Sequence, residues 1–201
     1  TLRRLVNQES QYQKIEVYET EKWGNMLVLD GIINLTEKDE FVYHEMIAHV
    51  PLFSHPNPKK ALVIGGGDGG TVREVLNHEN IEKVVMVEID QLVIDVAKKY
   101  LPGLSCALGH PKLELRVEDG IKYVLDAPDS SFDVIIVDST DNYGPGEVLF
   151  TDEFYKNCLR VLTEDGILVC QAQSFSGAPQ RFQAVFERYN KIFGKEKTWA
   201  Y

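Results

Sequence analysis

The spacing of hydrophobic positions changes near residue 58. Before that point "YQKIEVYET" alternates apolar and polar residues, and "GNMLVLDG" and "IINLTEKDE" follow it, with Gly24 and Gly31 as turn residues. The three segments predict three short β-strands. Asp30-Gly31 between the last two is a hairpin signal. "DEFVYHEMIAHVPLF" then places apolar residues at helical spacing, and "HPNP" is typical of a linker. We therefore expect a small β domain over residues 1–37, followed by a helix and linker over 38–58.

After the linker, β-branched apolar segments alternate with amphipathic helical ones. The five predicted strands are "KALVIGGG", "KVVMVEID", "KLELRVEDG", "FDVIIVDST" and "GILVCQAQS". Strands that are apolar throughout and separated by helices are typical of a parallel sheet covered on both faces. We therefore expect an α/β domain with a mostly parallel sheet over residues 59–201. The final segment, "KEKTWAY", predicts the beginning of a sixth strand.

Acidic residues follow the first four strands of this predicted sheet. Ligands of open parallel sheets bind at the carboxyl ends of the strands, so these acids are candidate site residues. An acid at such a position can also serve only as a helix N-cap, a role that suits Asp90 and Asp119. The hydroxyl of Thr151 suits the same role at a later helix. The four candidate acids that directly follow or end the strands are Asp68, Glu88, Asp119 and Asp138.

The loop after the first of these strands indicates a nucleotide or nucleoside site. Gly65, Gly67 and Gly70 match G-x-G-x-x-G, which fits either a dinucleotide or an adenosylmethionine-type ligand. Asp68 lies inside the loop and would repel a pyrophosphate, so it favours a nucleoside with a cationic tail. Glu88 suits ribose hydroxyl groups at the end of the second strand.

Two further carboxylates follow the fourth strand. Asp138 and Asp141 are three residues apart, and such a pair can bind an ammonium group or accept a proton from an amine that must become nucleophilic. The alternative is that both only cap a turn. Asp119 could accept a hydrogen bond from an adenine amino group, or cap the next helix.

The composition of the chain limits the kinds of molecule that it could bind and the compartment in which we expect it. The net charge of −10 disfavours nucleic acid as a partner and is compatible with a cationic small molecule. Three cysteines without metal spacing indicate a reducing compartment, and we expect a cytoplasmic protein. No apolar run reaches transmembrane length, so we expect no membrane association. The five histidines show no spacing that demands a metal.

The motifs together resemble one enzyme family. "GNMLVLDG", "EKDEFVYHEM", "HPNPKKALVIGGGDGGTVREVL", "VEID" and "FDVIIVDSTD" resemble the polyamine aminopropyltransferases, and spermidine synthases most of all. The resemblance runs from about residue 11 to 171. It implies a Rossmann-like domain of the methyltransferase type behind a small N-terminal β domain. It also implies transfer of an aminopropyl group from decarboxylated S-adenosylmethionine to putrescine, which gives spermidine and methylthioadenosine.

The same resemblance implies the roles of individual residues. The nucleoside would be held by Gln13, Asp68, Glu88, Asp119 and Gly120. The diamine would be held by Tyr43, His44, Asp138, Asp141 and Gln171, with Asp138 as the base. Decarboxylation leaves an ammonium tail without a carboxylate, so Asp68 would favour that substrate over intact S-adenosylmethionine. No metal or cofactor is implied, and the expected assembly is a homodimer or homotetramer.

The chain departs from the family pattern in two places. Asn142 and Tyr143 follow Asp141 where the family commonly has proline, which leaves the diamine acceptor open. We also expect the 201 residues to lack the family's final C-terminal hairpin. Two alternatives remain at this point: a diamine N-methyltransferase that uses intact S-adenosylmethionine, and a catalytically inactive subunit that binds nucleoside. His44 can also be no more than a satisfied polar residue on its helix.

Overall fold

The computed structural model describes residues 2–139, 151–171 and 179–201. The N-terminal part is a four-stranded antiparallel sheet in the order β1-β2-β3-β4. Its strands are β1 (Leu2–Glu9), β2 (Lys14–Thr20), β3 (Gly24–Leu29) and β4 (Ile32–Thr36). Asp30 and Gly31, both with positive φ, form the predicted hairpin between β3 and β4. The three predicted strands are therefore confirmed.

Strand β1 was not predicted from the sequence. It pairs with β2 along its whole length, but the register shifts between Arg4 and Val6. Val6 is its one buried residue, and Leu5 is half-buried. The bulge breaks the alternation of apolar and polar positions, so the sequence carries no strand periodicity there.

The second sheet is parallel, with the strand order β7-β6-β5-β8-β9. Helix α1 (Glu40–Ser54) precedes it, and all five predicted strands are present, each followed by its predicted helix. The elements are β5 (Lys60–Gly65), α2 (Gly70–Leu76), β6 (Lys83–Glu88), α3 (Gln91–Tyr100), α4 (Pro102–Ser105), β7 (Leu113–Val117), α5 (Gly120–Asp126), β8 (Phe132–Asp138), α6 (Asp152–Val161), β9 (Leu162–Cys170) and α7 (Pro179–Phe193). The α/β class with a mostly parallel sheet is thus confirmed.

The central strand β5 contributes to the core on both sides of the sheet. Leu62 and Ile64 pack against α5 and α6 on one face. Ala61 and Val63 pack against α1 and α2 on the other. Successive residues of a strand point to opposite faces, so a strand buried on both sides must be apolar throughout.

The small antiparallel sheet lies against the parallel one through α3 and α4. Ile15, Val17 and Leu27 pack with Val93 and Val96 in a third apolar cluster. This packing brings the loop between β1 and β2 to the carboxyl end of β6. Residues of the N-terminal sheet can therefore contribute to a site on the parallel sheet.

The prediction that "KEKTWAY" begins a sixth strand is wrong. Gly194, with φ of 95°, ends α7, and a 3₁₀ turn follows over Lys195–Lys197. Residues 198–201 adopt no strand, because they pair with no other strand in the described part of the chain. Among the described residues, no helix is both long and apolar enough to span a membrane.

Candidate active site

A cavity of about 790 Å³ opens at the carboxyl ends of the parallel strands. Helix α1 and the N-terminal sheet form its opposite wall. Nine of the ten predicted site residues line it, and the tenth, Asp141, lies outside the described residues. The nine are Gln13, Tyr43, His44, Asp68, Glu88, Asp119, Gly120, Asp138 and Gln171.

The glycine loop makes room for protein groups as well as for a ligand. Gly65 has φ of 85°, and a Cβ atom there would lie 2.1 Å from the carbonyl oxygen of Asp138. A Cβ atom at Gly70 would lie 2.4 Å from the imidazole ring of His44. The loop can therefore approach β8 and α1 only if these two positions carry no side chain.

Asp68 in this loop is a buried carboxylate with two donors. Its Oδ1 accepts the backbone N–H of Gly70 at 2.8 Å and lies 3.3 Å from Nε2 of His44. Burial alone would raise the pKa of Asp68, but the hydrogen bond and charge of His44, together with backbone N–H donors, lower it below its ordinary value. Asp68 is therefore an anion, and its charge is partly balanced by His44.

His44 is itself held between two carboxylates. Its Nδ1 lies 2.5 Å from Oε2 of Glu40, one helical turn earlier on α1. Burial lowers the pKa of His44, yet the hydrogen bonds to Asp68 and Glu40 raise it to about 10. Arg73 of α2 donates to both oxygens of Glu40 at 3.0 Å. His44 is thus a buried cation that touches the cavity.

Asp138 ends β8 and receives two hydroxyl hydrogen bonds. Tyr43 donates to Oδ1 at 2.6 Å, and Thr71 donates to Oδ2 at 2.6 Å. Burial, and then the negative charge of Asp68, raise the pKa of Asp138 above its ordinary value. Burial also raises the pKa of Tyr43, so its hydroxyl stays protonated and remains a donor. A carboxylate with a raised pKa is a better proton acceptor.

Three of these participants were missed from the sequence. Thr71 and Glu40 contact the predicted site residues Asp138 and His44, and Arg73 contacts Glu40, but none of the three belongs to a spacing motif. Thr71 is on the first turn of α2, immediately after the last glycine of the loop, and is fully buried. A hydroxyl residue at that position is the only local signal that could have pointed to it.

Glu88 and Gln13 both form hydrogen bonds with Asp90 at the end of β6. Glu88 accepts the backbone N–H of Asp90 at 2.9 Å, and burial raises the pKa of Glu88 to about 7. Oδ1 of Asp90 accepts from the Leu92 backbone as the expected N-cap of α3. Its Oδ2 accepts from Ser10 at 2.7 Å and from Gln13 at 3.1 Å. Asp90 therefore connects the N-terminal sheet to the cavity.

Asp119 is the N-cap of α5, and its Oδ1 accepts the backbone N–H of Ile121 at 2.8 Å. Thr151 likewise caps α6 through the backbone N–H of Phe154. A Cβ atom at Gly120 would lie 2.6 Å from Ile64, so glycine is needed for close packing there. Asp119 thus has a structural role in addition to its place in the cavity wall. Gln171 directly follows β9, where its backbone N–H bonds to Val137.

Comparison with known families covers both parts of the chain. Residues 40–200 match the model described as spermine/spermidine synthase domain. Residues 4–37 match the model described as spermidine synthase tetramerisation domain. The two matches meet between β4 and α1, where the antiparallel sheet ends.

Curated relatives and solved structures agree with this assignment. Polyamine aminopropyltransferase of Clostridium kluyveri is 53% identical over 94% of this chain and 68% of its own length. That of Bacillus cytotoxicus is 48% identical over 95% of this chain and 69% of its own length.

Two solved structures share the fold at similar identity. Spermidine synthase in complex with the transition-state analogue AdoDATO is 46% identical, with a TM-score of 0.91 over 94% of this chain and 65% of that one. Spermidine synthase from Thermotoga maritima is 45% identical, with a TM-score of 0.89 over 94% and 64% of the two chains. The chain thus spans about two thirds of the relatives that it matches, and it belongs to the spermine/spermidine synthase family.

Proposed function

We propose that the protein transfers the aminopropyl group of decarboxylated S-adenosylmethionine to putrescine. The observation that carries the proposal is a pair of carboxylates at one end of the cavity, the buried Asp68 and the half-buried Asp138. Asp138 is held by two hydroxyl donors and has a raised pKa, as a proton acceptor requires. Asp68 supplies a negative charge where the other substrate would carry a cationic tail.

The proposed reaction is a substitution at carbon. A putrescine nitrogen attacks the propyl carbon bonded to the sulfonium, the new C–N bond forms, and the C–S bond breaks with its electrons going to sulfur. Methylthioadenosine leaves. Because an ammonium has no lone pair, the putrescine nitrogen first gives a proton to Asp138 and attacks as the neutral amine. An alkylammonium has a pKa of about 10, so an acceptor is needed at neutral pH. The sulfonium is already a good leaving group, and the proposed chemistry requires no metal or cofactor.

The nucleoside would lie across the ends of β5, β6 and β7. Glu88 suits the ribose hydroxyls, and Gln13 reaches the same end of β6 through its bond to Asp90. Asp119 and Gly120 belong to the wall at the end of β7. Putrescine would lie between α1 and the end of β8, near Tyr43 and Gln171. Asp141 stays a prediction from the sequence.

The two alternatives fit the cavity less well. A methyltransferase would bind intact S-adenosylmethionine, whose carboxylate would be repelled by Asp68. An inactive nucleoside-binding subunit would have no use for two hydroxyl groups that both donate to Asp138 at 2.6 Å. Both features favour aminopropyl transfer.

One assay of the full-length protein tests the proposal. Decarboxylated and intact S-adenosylmethionine are each offered with putrescine, cadaverine and spermidine, and the products are identified by mass. Spermidine and methylthioadenosine from the decarboxylated substrate and putrescine are the expected products. A methylated diamine from the intact substrate would instead support the methyltransferase.

Assembly and compartment are also part of the proposal. A homodimer or homotetramer is supported by the match of residues 4–37 to a tetramerisation domain. Sedimentation of the full-length protein at micromolar concentration tests it, and a monomer would contradict it. A cytoplasmic location is supported by Cys106, Cys158 and Cys170, which all carry free thiols.

A further inference from the structure

Four side chains with alternating charge run from α2 to the cavity. Arg73 contacts Glu40, Glu40 contacts His44, and His44 contacts Asp68, at 3.0, 2.5 and 3.3 Å. Only Asp68 and His44 were expected in the site. The two outer members, Glu40 and Arg73, are joined to the glycine loop through the imidazole of His44.

The positions of Glu40 and His44 are fixed by helix α1 and by the glycine loop. Glu40 and His44 are one turn apart on α1, so their side chains lie on the same face of the helix. Both are buried, at 8% and 2% exposure, and a charge so removed from water requires a partner. The ring of His44 is fixed from its other side by Gly70, where any side chain would collide with it.

Without this arrangement the carboxyl group of Asp68 would hold its proton more tightly and would be less ionised. It is buried, and Asp138 and Glu88 add negative charge to the same cavity. The cation that offsets these effects is His44, whose pKa is raised first by its hydrogen bond to Asp68 and then by the one that Glu40 makes with its other nitrogen. His44, and after it Arg73, lower the pKa of Glu40, and Arg73 also donates to both of its oxygens.

We propose that Glu40 and Arg73 are positioning residues that act through His44 to orient the Asp68 carboxylate and keep it anionic for a cationic substrate tail. The inference rests on the proposed function for the identity of that substrate. In the described part of the chain, His44 and the backbone N–H of Gly70 both contact Oδ1 of Asp68, so Oδ2 is the oxygen that we assign to the ammonium. The charged and titratable groups around His44 are Glu40, Tyr43, Asp68, Arg73, Glu88 and Asp138.

A matched pair of variants separates this role from the general role of a buried acid. Glu40→Gln removes the charge beside His44 and keeps the shape of the side chain. Glu74→Gln is the control, because Glu74 is equally buried and also bonds Arg73, at 2.7 Å. Glu74 makes its histidine contact with His49 and not with His44.

The first readout is the charge state of His44 in the ligand-free protein. Nitrogen-15 shifts of the imidazole ring report it, with the signal assigned through its loss in His44→Gln. At pH 8 we expect a cationic His44 in the unmodified protein and in Glu74→Gln, and a smaller cationic fraction in Glu40→Gln. The same charge state in both variants would overturn the inference.

The second readout is the pH dependence of turnover with decarboxylated S-adenosylmethionine and saturating putrescine. In Glu40→Gln the KM for the nucleoside should rise near pH 7 and recover at higher pH, because a buried Asp68 without the cation of His44 keeps its proton and only its ionised form binds the ammonium. A rise of about tenfold would mean that about nine tenths of Asp68 is protonated at that pH. The value of kcat should change by about twofold or less, because the tail is bound alike in ground and transition states. Equal profiles for Glu40→Gln and Glu74→Gln would overturn the inference.

A third variant protects the test against misfolding. Arg73→Gln leaves Glu40 in place but removes the guanidinium group that binds it. The KM for the nucleoside should therefore rise as in Glu40→Gln, but by a smaller factor. If Glu40→Gln does not fold, an unchanged pH profile in Arg73→Gln overturns the inference. If the unmodified protein transfers no aminopropyl group, the proposed function fails, and the nitrogen-15 comparison still decides whether Glu40 holds His44 in its charged form.

Discussion

The hydroxyl of Tyr43 donates a 2.6 Å hydrogen bond to Oδ1 of Asp138, across 95 residues of sequence. The bond joins helix α1 to the carboxyl end of β8 and holds the proposed base in one orientation. Thr71 donates to the other oxygen at the same distance. Neither carboxylate oxygen of Asp138 is therefore free to rotate into a different position without losing a donor.

Removing either donor should slow turnover. A hydrogen bond to a charged group contributes about 1.5–3 kcal/mol, so Tyr43→Phe and Thr71→Val should each lower kcat by about 10- to 100-fold. Both donors also lower the pKa of Asp138, so the acidic limb of the kcat profile should move to higher pH. Steady-state kinetics from pH 6 to 9 measure both effects.

The control for this prediction is Tyr18→Phe. Tyr18 also donates to a carboxylate, that of Glu16, at 3.0 Å, but it belongs to the N-terminal sheet and does not line the cavity. Its rate should match that of the unmodified protein. A similar loss in all three variants would mean that the effect is one of general stability.

The two carboxylates after β8 should differ in their effect on the rate. Asp138→Asn should lower kcat by about 100- to 10,000-fold, as loss of a general base does, with nucleoside binding nearly intact. Asp141→Asn should chiefly raise the KM for putrescine, because the sequence predicts that Asp141 anchors the distal ammonium. Kinetics on the full-length protein decide between these outcomes. A near-normal kcat in Asp138→Asn would exclude it as the base.

A methyl group at Gly70 should destabilise the fold. Its Cβ atom would lie 2.4 Å from the buried ring of His44, and such overpacking costs about 1–3 kcal/mol. Gly103→Ala is the matched control, because a Cβ atom there has nothing within 4 Å and Gly103 is helical. That control should be neutral or slightly stabilising. Urea unfolding of both variants gives the comparison, and equal midpoints would contradict it.

Glu88 should make the ligand-free protein less stable as the pH rises. Its folded pKa of about 7 lies above the ordinary value of 4.5, so its contribution is full below pH 4.5 and is lost as the pH rises through 7. Glu88→Gln removes this titration. At pH 8 the variant should therefore be more stable than the unmodified protein by up to roughly 3 kcal/mol, with little difference at pH 4.

The measurement is the free energy of unfolding in urea at the two pH values, at one protein concentration. The same variant should bind nucleoside more weakly, because an amide replaces the acceptor proposed for the ribose hydroxyls. Greater stability with weaker binding is the signature of an acid that serves the ligand. No gain in stability at pH 8 would contradict the raised pKa.

Local periodicity alone determined the parallel sheet. The strands β5, β6 and β8 are mostly apolar because both of their faces are buried, and the helices between the strands are amphipathic because one face is buried. That pattern predicts the order of elements, and the topology rule then brings Asp68, Glu88, Asp119 and Asp138 to one edge. Nine of the ten predicted residues line the same cavity for this reason.

The hydrophobic pattern did not correctly predict the segments that have few buried residues. Strand β1 has one buried side chain and a bulge, and its existence depends on pairing with β2. The segment after Lys197 has strand-like residues, but it pairs with no strand in the described part of the chain. Whether such a segment forms a strand depends on a partner strand that pairs with it, and the sequence of the segment itself does not specify that partner.

The contacts within the cavity were decided by tertiary structure alone. Tyr43 and Asp138, or Arg73 and Glu40, lie on different elements, and only the packing of α1 on β5 and α2 brings them within hydrogen-bond distance. The sequence determined which chemical groups reach the carboxyl edge of the sheet. The charge on each group was set afterwards, because burial and partners shift a pKa through distances that only the folded chain defines.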